Sequence, residues 1–528
     1  MKNTTPAPRP RFTGVRLLTD NDDAWQAKRH LIANAQRTLD LSYFILEVDA
    51  STSRLMLDLI DAAERGVKVR LLVDYFMTFE QAAALRALAG VGNIEVRRYG
   101  LPRPGWLHAL QEAGIDRDGF VKGMMSTNAA MLAESLKGNT IFPPATADAV
   151  RALSPEPNDN PADFPMRVLS ALPSAAEAAS AAPTPAIASA AAGFDRMAAL
   201  RKVALVIEIV RGLKHFLHRT HHKLLLADSK WFVMGGRNLA DAYQCEMPPQ
   251  GRAFQDTDIL ACDGAAGGSE HRVAFQKLWS SAETADIAQP DPLDTRPPTP
   301  LVTFHEKTHP APALKPGTAF KRGVKLPDMD GALFDNLPSQ KGDATITHAY
   351  VEHIEALIAS GRPGAVDIVS AYLFLADNAA GSAALLALRN VFVAAARAGL
   401  TVNIYTNSIL STDLKPINRA AYPKLIELIE AGVGIFELDD GQGSLHTKCA
   451  AIGDTCLFVG SYNMDPRSEL YDTNNLIVLN DASGAATAAF REARIRGLRW
   501  TRLTVDAAGR LAAKARKTSS AKLMRGVL

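Results

Sequence analysis

The chain is predicted to be an α/β protein of two similar βαβ-type halves, each a mixed, mostly parallel sheet flanked by helices, related by a pseudo-twofold axis. Three observations carry this reading. Strand-like and helix-like segments alternate over residues 36–99, the same order returns over 365–438, and each series runs into a His-x-Lys motif, His221/Lys223 and His446/Lys448. Strands alternating with helices are the pattern of βαβ units covered by helices. A repeat on this scale organises a chain as a whole.

In the first series, 36–48 (QRTLDLSYFILEV) alternates and is rich in branched and aromatic residues, so it reads as a strand. Leucines at helical spacing follow over 53–65, Gly66 stands in the usual C-cap place, and 67–75 (VKVRLLVDY) reads as a largely buried strand. A helix over 80–89 and a strand over 94–99 complete it. The second series has a strand over 365–375, a helix over 382–398 closed by Gly399, a strand over 401–406, a helix over 423–431 and a strand over 433–438.

Between them, 286–318 is proline-rich and reads as an extended linker lying over the surface. The domains are therefore placed at 12–285 and 319–505, with a basic tail at 506–528. Within the first, 139–192 is low in complexity (SPEPNDNPADFP, then an alanine- and serine-rich run) and is expected to be a mobile insertion. Residues 195–217 carry Val203, Val206, Ile207, Val210, Leu213 and Leu217 on one stripe beside Arg201, Lys202, Arg211 and Lys214. Such a helix either packs on the core, the default, or lies on an anionic membrane. The tail, with Lys514, Arg516, Lys517, Lys522 and Arg525, is solvated by default.

The 58 basic and 56 acidic residues nearly cancel, so bulk charge points to no polyanion partner. Four cysteines without close paired spacing make neither a zinc site nor a disulfide framework. The N-terminus lacks an apolar signal core, and no run approaches the ~18 apolar residues that span a bilayer. The protein reads as cytoplasmic, or peripheral to the inner membrane.

The two motifs share one ruler. His221-His222-Lys223 leads to Asp228 and then Gly235-Gly236-Arg237-Asn238; His446-Thr447-Lys448 leads to Gly453-Asp454 and then Gly460-Ser461-Tyr462-Asn463. In both, the first glycine follows the histidine by fourteen residues and the asparagine by seventeen. On a strand, residues i and i+2 face one side, so imidazole and ammonium project together. The glycine turn brings backbone and amide close to a ligand. One such cluster is more often structural; two with identical offsets are not required by packing. Face to face, they offer two lysines, two asparagines and two histidines to a doubly oxygenated anion such as a phosphodiester. One histidine can attack phosphorus while the other protonates the leaving oxygen. No cofactor is called for, and no carboxylate cluster or His/Cys spacing offers a metal site.

At these residues the chain resembles the phospholipase D superfamily, whose signature HxKxxxxD followed by GGxN or GSxN occurs twice. The resemblance covers most of the chain outside 100–195, 286–340 and the last 20 residues. The segments LSYFI (41–45), AAERGVKVRLLVD (62–74), GGRNLADAY (235–243), YTNSILSTD (405–413) and VGSYNMDPRS (459–468) are similar to the C-type branch of bacterial cardiolipin synthases. The resemblance implies a phospholipid substrate of the phosphatidylglycerol or phosphatidylethanolamine class and one site shared by the halves of a monomer. It also implies His221 as a nucleophile forming phosphohistidine, with His446 as general acid and then base. Lys223, Lys448, Asn238, Asn463 and Ser461 would hold the phosphate, and Asp228 and Asp454 stand for the motif carboxylates.

A downstream carboxylate usually orients each histidine, and Asp256 is the candidate in the first half. Two positions depart from the pattern. Gly453 takes the expected Asp place with Asp454 one residue late, and Asn474 stands where relatives carry the orienting Glu, with Asp472 as a substitute. An amide cannot stabilise a cationic imidazole by charge. Phosphatidyl transfer or phospholipid hydrolysis is the leading function. The alternatives are a nuclease or other phosphodiesterase of the same superfamily, disfavoured by the near-neutral charge, and a weakened member that binds anionic lipid.

Overall fold

The computed structural model describes residues 11–112, 218–245, 253–264, 269–291, 293–294, 296–337, 345–375 and 382–516. The insertion at 139–192, the stripe at 195–217 and the tail residues Lys517, Lys522 and Arg525 lie outside them.

Short apolar runs and helical stripes assemble into two nine-stranded mixed sheets. The first contains β1 (Phe12–Leu18), β2 (Thr38–Tyr43), β3 (Lys68–Asp74) and β4 (Ile94–Tyr99). After the short β5 (Arg219–Thr220) it continues with β6 (Lys223–Ala227) and β7 (Trp231–Gly235). Then, past β8 (Phe254–Gln255), which lies outside this sheet, come β9 (Asp258–Asp263), β10 (Thr284–Asp286) and β11 (Val324–Lys325). Its order is β10-β4-β3-β2-β6-β7-β9-β1-β11. The second sheet contains β12 (Asp330–Asn336), β13 (Ala365–Ser370), β14 (Thr401–Asn407) and β15 (Gly434–Leu438). Beyond β16 (Ser444–Leu445) follow β17 (Lys448–Ile452), β18 (Cys456–Gly460), β19 (Asp472–Asn480) and β20 (Trp500–Arg502). Its order is β12-β19-β18-β17-β13-β14-β15-β20, with β5 pairing beside β19 as the ninth strand.

The α/β class with mixed sheets stands, but the balance of directions differs from the mostly parallel expectation. Parallel pairing joins β2 to β3 to β4 and β13 to β14 to β15, while the other neighbours in the two strand orders are antiparallel. The reason lies in the connections. A parallel step needs a crossover helix, present at Ala50–Glu64 and Ala383–Arg397, whereas β6 to β7 and β17 to β18 return through turns of three residues.

The expected elements at 94–99 and 401–406 recur as β4 and β14 nearly residue for residue. The helix expected at 423–431 instead runs Lys415–Glu430, with Pro423 inside it. An interior proline removes one helix hydrogen bond without here ending the helix, which therefore begins two turns earlier than expected. Residues 296–323 run over the helices of the first half: Trp25 meets His309 edge-on, and Arg29 donates to the Pro312 carbonyl at 2.6 Å. The chain passes to the second sheet between Lys325 and Asp330.

Helices cover the outer faces, and the inner faces of the two sheets meet in one shared core. Phe12, Leu224, Leu226, Phe232 and Ile259 of the first sheet pack with Cys449, Ala451, Leu457, Ile477 and Phe490 of the second half. Two short strands also cross over. β5 pairs in parallel with β19, and β16 pairs in parallel with β8. Each is the approach to a His-x-Lys motif, so each motif enters along a strand of the opposite half.

Candidate active site

His221 follows β5 and Lys223 opens β6, and their counterparts follow β16 and open β17. The crossed strands set the histidines by backbone: His221 N–H donates to the Thr473 carbonyl at 2.9 Å, and His446 N–H to the Gln255 carbonyl at 2.8 Å. All four motif residues are at most 5% exposed. Lys223 Nζ donates to its own His221 carbonyl at 2.9 Å, and Lys448 does the same to His446. Both ammoniums are thereby folded back beside the imidazoles.

Behind the histidines the partners are exchanged. Asp256, expected behind His221, accepts from His446 Nδ1 at 2.6 Å, while Asn474, expected behind His446, has its Oδ1 2.9 Å from His221 Nδ1. The crossed strands cause this: pairing β8 with β16 carries Asp256 to His446, and pairing β19 with β5 carries Asn474 to His221. Asn474 Nδ2 donates to the carbonyls of Ser468 and Asp472, so Oδ1 is the acceptor for the imidazole. The hydrogen therefore sits on His221 Nδ1, and the lone pair sits on Nε2. Asp472 does not take the place of the acid; it pairs with Arg467 at 3.3 Å.

Of the expected phosphate ligands, Asn238 accepts Ile45 N–H at 3.2 Å and has its buried side chain beside the Tyr243 hydroxyl. Asn463 is buried, and its side-chain oxygen has no hydrogen-bond partner among the described residues. Ser461 differs: its hydroxyl donates to Asn474 Oδ1 at 3.1 Å, so it braces the group behind His221. In the other half Gly236 takes this place. A Cβ there would lie 2.1 Å from Asp256 Oδ1, so the close approach of that carboxylate requires glycine.

The motif carboxylates are not in the site. Asp228 ends β6 with a left-handed backbone (φ 52°) and accepts the N–H groups of Gln36, Arg37 and Thr38 at 2.7–3.0 Å, tying down the start of β2. Gly453 holds the same turn at φ 61° without a side chain, and Asp454 points outward, 84% exposed, to Arg491 at 2.9 Å. Spacing alone does not separate a turn-capping carboxylate from a catalytic one.

Electrostatics follow from two lysines in a buried site. Burial, then Lys223 and Lys448, push the His221 imidazole well below its ordinary range; burial, then Lys448 and Lys223, do the same to His446. Lys223 is itself pushed down by burial and by Lys448, and burial lowers Lys448 to about 8. The Asp256 carboxyl is pushed up by burial, against the pull of Lys448, Arg237 and Arg494. A bound anion would relieve the repulsion between the lysines. Aromatic rings wall both sides: Phe44 lies edge-on to His221 at 4.9 Å and under Lys223, and Tyr243 and Phe254, stacked on each other, lie edge-on to His446. Sequence reasoning passed over Phe44, Tyr243 and Arg237 as site residues, although all lie in quoted motifs. It also missed Arg494, which no motif marks. No three His, Cys, Asp or Glu side chains gather as a metal site, and no helix is long and apolar enough to cross a membrane, among the described residues.

Residues 358–493 match the family described as cardiolipin synthase, PLD-like domain. The chain is similar to cardiolipin synthase C of Escherichia coli (strain K12), 22% identical over 499 residues that make up 88% of this chain and 80% of that protein. It is also similar to an uncharacterized protein of Helicobacter pylori (strain ATCC 700392 / 26695), 20% identical over 504 residues, 90% of this chain and 78% of that one. Its fold is similar to that of phosphatidylserine synthase from Haemophilus influenzae Rd KW20, with a TM-score of 0.52 at 12% identity over 99% of this chain and 98% of that one. Two buried His-x-Lys pairs are thus brought together in a chain whose residues 358–493 match a cardiolipin synthase, PLD-like domain, and whose fold is similar to that of a phosphatidylserine synthase.

Proposed function

We propose that the protein is a phosphatidyltransferase of the cardiolipin-synthase kind that works through a phosphohistidine on His221. The observation that carries the reading is the exchanged pair of histidine partners. An amide behind His221 fixes a neutral imidazole with its lone pair on Nε2, the form that attacks. A carboxylate behind His446 suits the imidazole that must carry positive charge.

In the first step His221 Nε2 forms a bond to phosphorus, the bond from phosphorus to the head-group oxygen breaks, and the departing oxygen takes the proton of His446 Nε2. In the second, an acceptor hydroxyl gives its proton to His446, its oxygen bonds phosphorus, and the bond to His221 breaks. Lys223, Lys448, Asn238 and Asn463 would neutralise and hold the phosphoryl oxygens. A phospholipid substrate is supported by the similarity to lipid synthases, and a membrane surface is where such a substrate resides.

The test uses the full chain with labelled phosphatidylglycerol, with and without glycerol as acceptor, beside a single-stranded DNA control. Conversion of lipid alone is expected, His221→Ala should abolish it, and His446→Ala should slow it by about 100- to 10,000-fold, the usual contribution of a general acid. In His446→Ala quenched in alkali, where phosphohistidine survives, the lipid phosphate should be found on His221. Adduct on His446 in His221→Ala, or cleavage of DNA but not lipid, would overturn the assignment.

A further inference from the structure

Arg494 lies on a π-helical turn, Glu492–Arg496, that continues the helix Ala485–Arg491 of the second half. A π-turn widens the helix by one residue and is frequently found at functional sites. Arg494 is 4% exposed, and its guanidinium crosses into the first half. Nε donates to Thr257 Oγ1 at 3.0 Å, Nη1 to Gln255 Oε1 at 3.1 Å, and Nη2 to the carbonyls of Asp256 and Thr19. It thus grips all three residues of 255–257. Arg237 holds the Asp256 carbonyl from the other side at 2.6 Å, and the Thr257 N–H donates to Asp256 Oδ1 at 2.8 Å. The other carboxylate oxygen is the one on His446.

We infer that Arg494 is a positioning residue for the acid step: it clamps the segment 255–257 from the second half so that Asp256 stays aimed at His446. The inference rests on His446 being the general acid. Arg494 touches no reacting atom. It sets the direction of the carboxylate, and its charge favours the ionised form of Asp256 that keeps His446 able to carry a proton.

The role has a signature that ordinary destabilisation lacks. A leaving group that needs no proton does not feel the loss of an acid. The full-length Arg494→Met variant is therefore compared with wild type on phosphatidylglycerol and on the corresponding phosphatidyl-p-nitrophenol. The expected result is a fall of about 10- to 100-fold in the single-turnover rate of head-group release from phosphatidylglycerol, within the range of a general acid, and a change of less than about threefold in the single-turnover release of p-nitrophenol, both read before the second step in which His446 acts as base. Arg494→Lys, which keeps charge but not the fork, should lie between. Equal loss on both substrates, or loss on neither, would overturn the inference. Thr257→Val removes only the hydroxyl that accepts from Nε; it should show the same split on a smaller scale, and decides the matter if Arg494→Met does not fold. Asp256→Asn separates the clamp from the acid itself. No split in Asp256→Asn would overturn the acid role of His446 itself, whereas a split there without one in Arg494→Met would overturn the Arg494 clamp alone.

Discussion

Asp228 and Gly453 occupy the same left-handed turn in the two halves, yet one ties down three backbone N–H groups and the other has no side chain. Asp228→Ala is therefore expected to lower stability by about 1–3 kcal/mol, the range for losing hydrogen bonds to a charged acceptor. Lipid turnover by the folded fraction should be unchanged, which thermal unfolding and kcat together would show. Asp454→Ala should alter neither. Gly236→Ala tests the close approach behind His446. Its Cβ would sit 2.1 Å from Asp256 Oδ1, so activity on phosphatidylglycerol should fall even though the change is one methyl group. The lysines set the pH dependence of anion binding. Lys448, lowered to about 8, is charged below that pH and loses its proton as pH rises through it. Inhibition by tungstate, whose charge is constant over pH 7–9, should weaken as pH rises past about 8, and a flat profile would contradict this.

At the scale of elements, the decisive feature is the pair of two-residue strands, β5 on β19 and β16 on β8. They carry little stability of their own, but they choose which group stands behind each histidine. The order of strands and helices in each half was legible from hydrophobic periodicity, because β2, β3, β13 and β14 are flanked by helices whose stripes face the sheet. The exchange was not, because a two-residue pairing between segments more than 180 residues apart leaves no periodicity to read. Asp256 was found as the carboxylate downstream of the first motif but assigned to the wrong histidine for this reason. Arg494 was missed for a related one: its partners are backbone carbonyls and neutral side chains, which carry no complementary sequence mark.

At the scale of the molecule, the inner faces of both sheets form one core, so the halves are expected to unfold together. A single calorimetric transition in the full chain checks this, and two resolved transitions would oppose it. Because each histidine takes its partner from the other half, a mixture of His221→Ala and His446→Ala chains should not recover activity if each site is built within one monomer. Recovery on mixing would instead show exchange of halves between chains.

What the residues by themselves determined was the repeat, the two half-sites and their identical offsets, since these depend on local spacing and on which side of a strand a side chain faces. Only the tertiary structure decided that the half-sites are cross-braced, His446 by a carboxylate and His221 by an amide. The physical reason is that orientation behind an imidazole is fixed by long-range strand pairing and by charges packed around a buried segment, and neither is encoded at any spacing within one half.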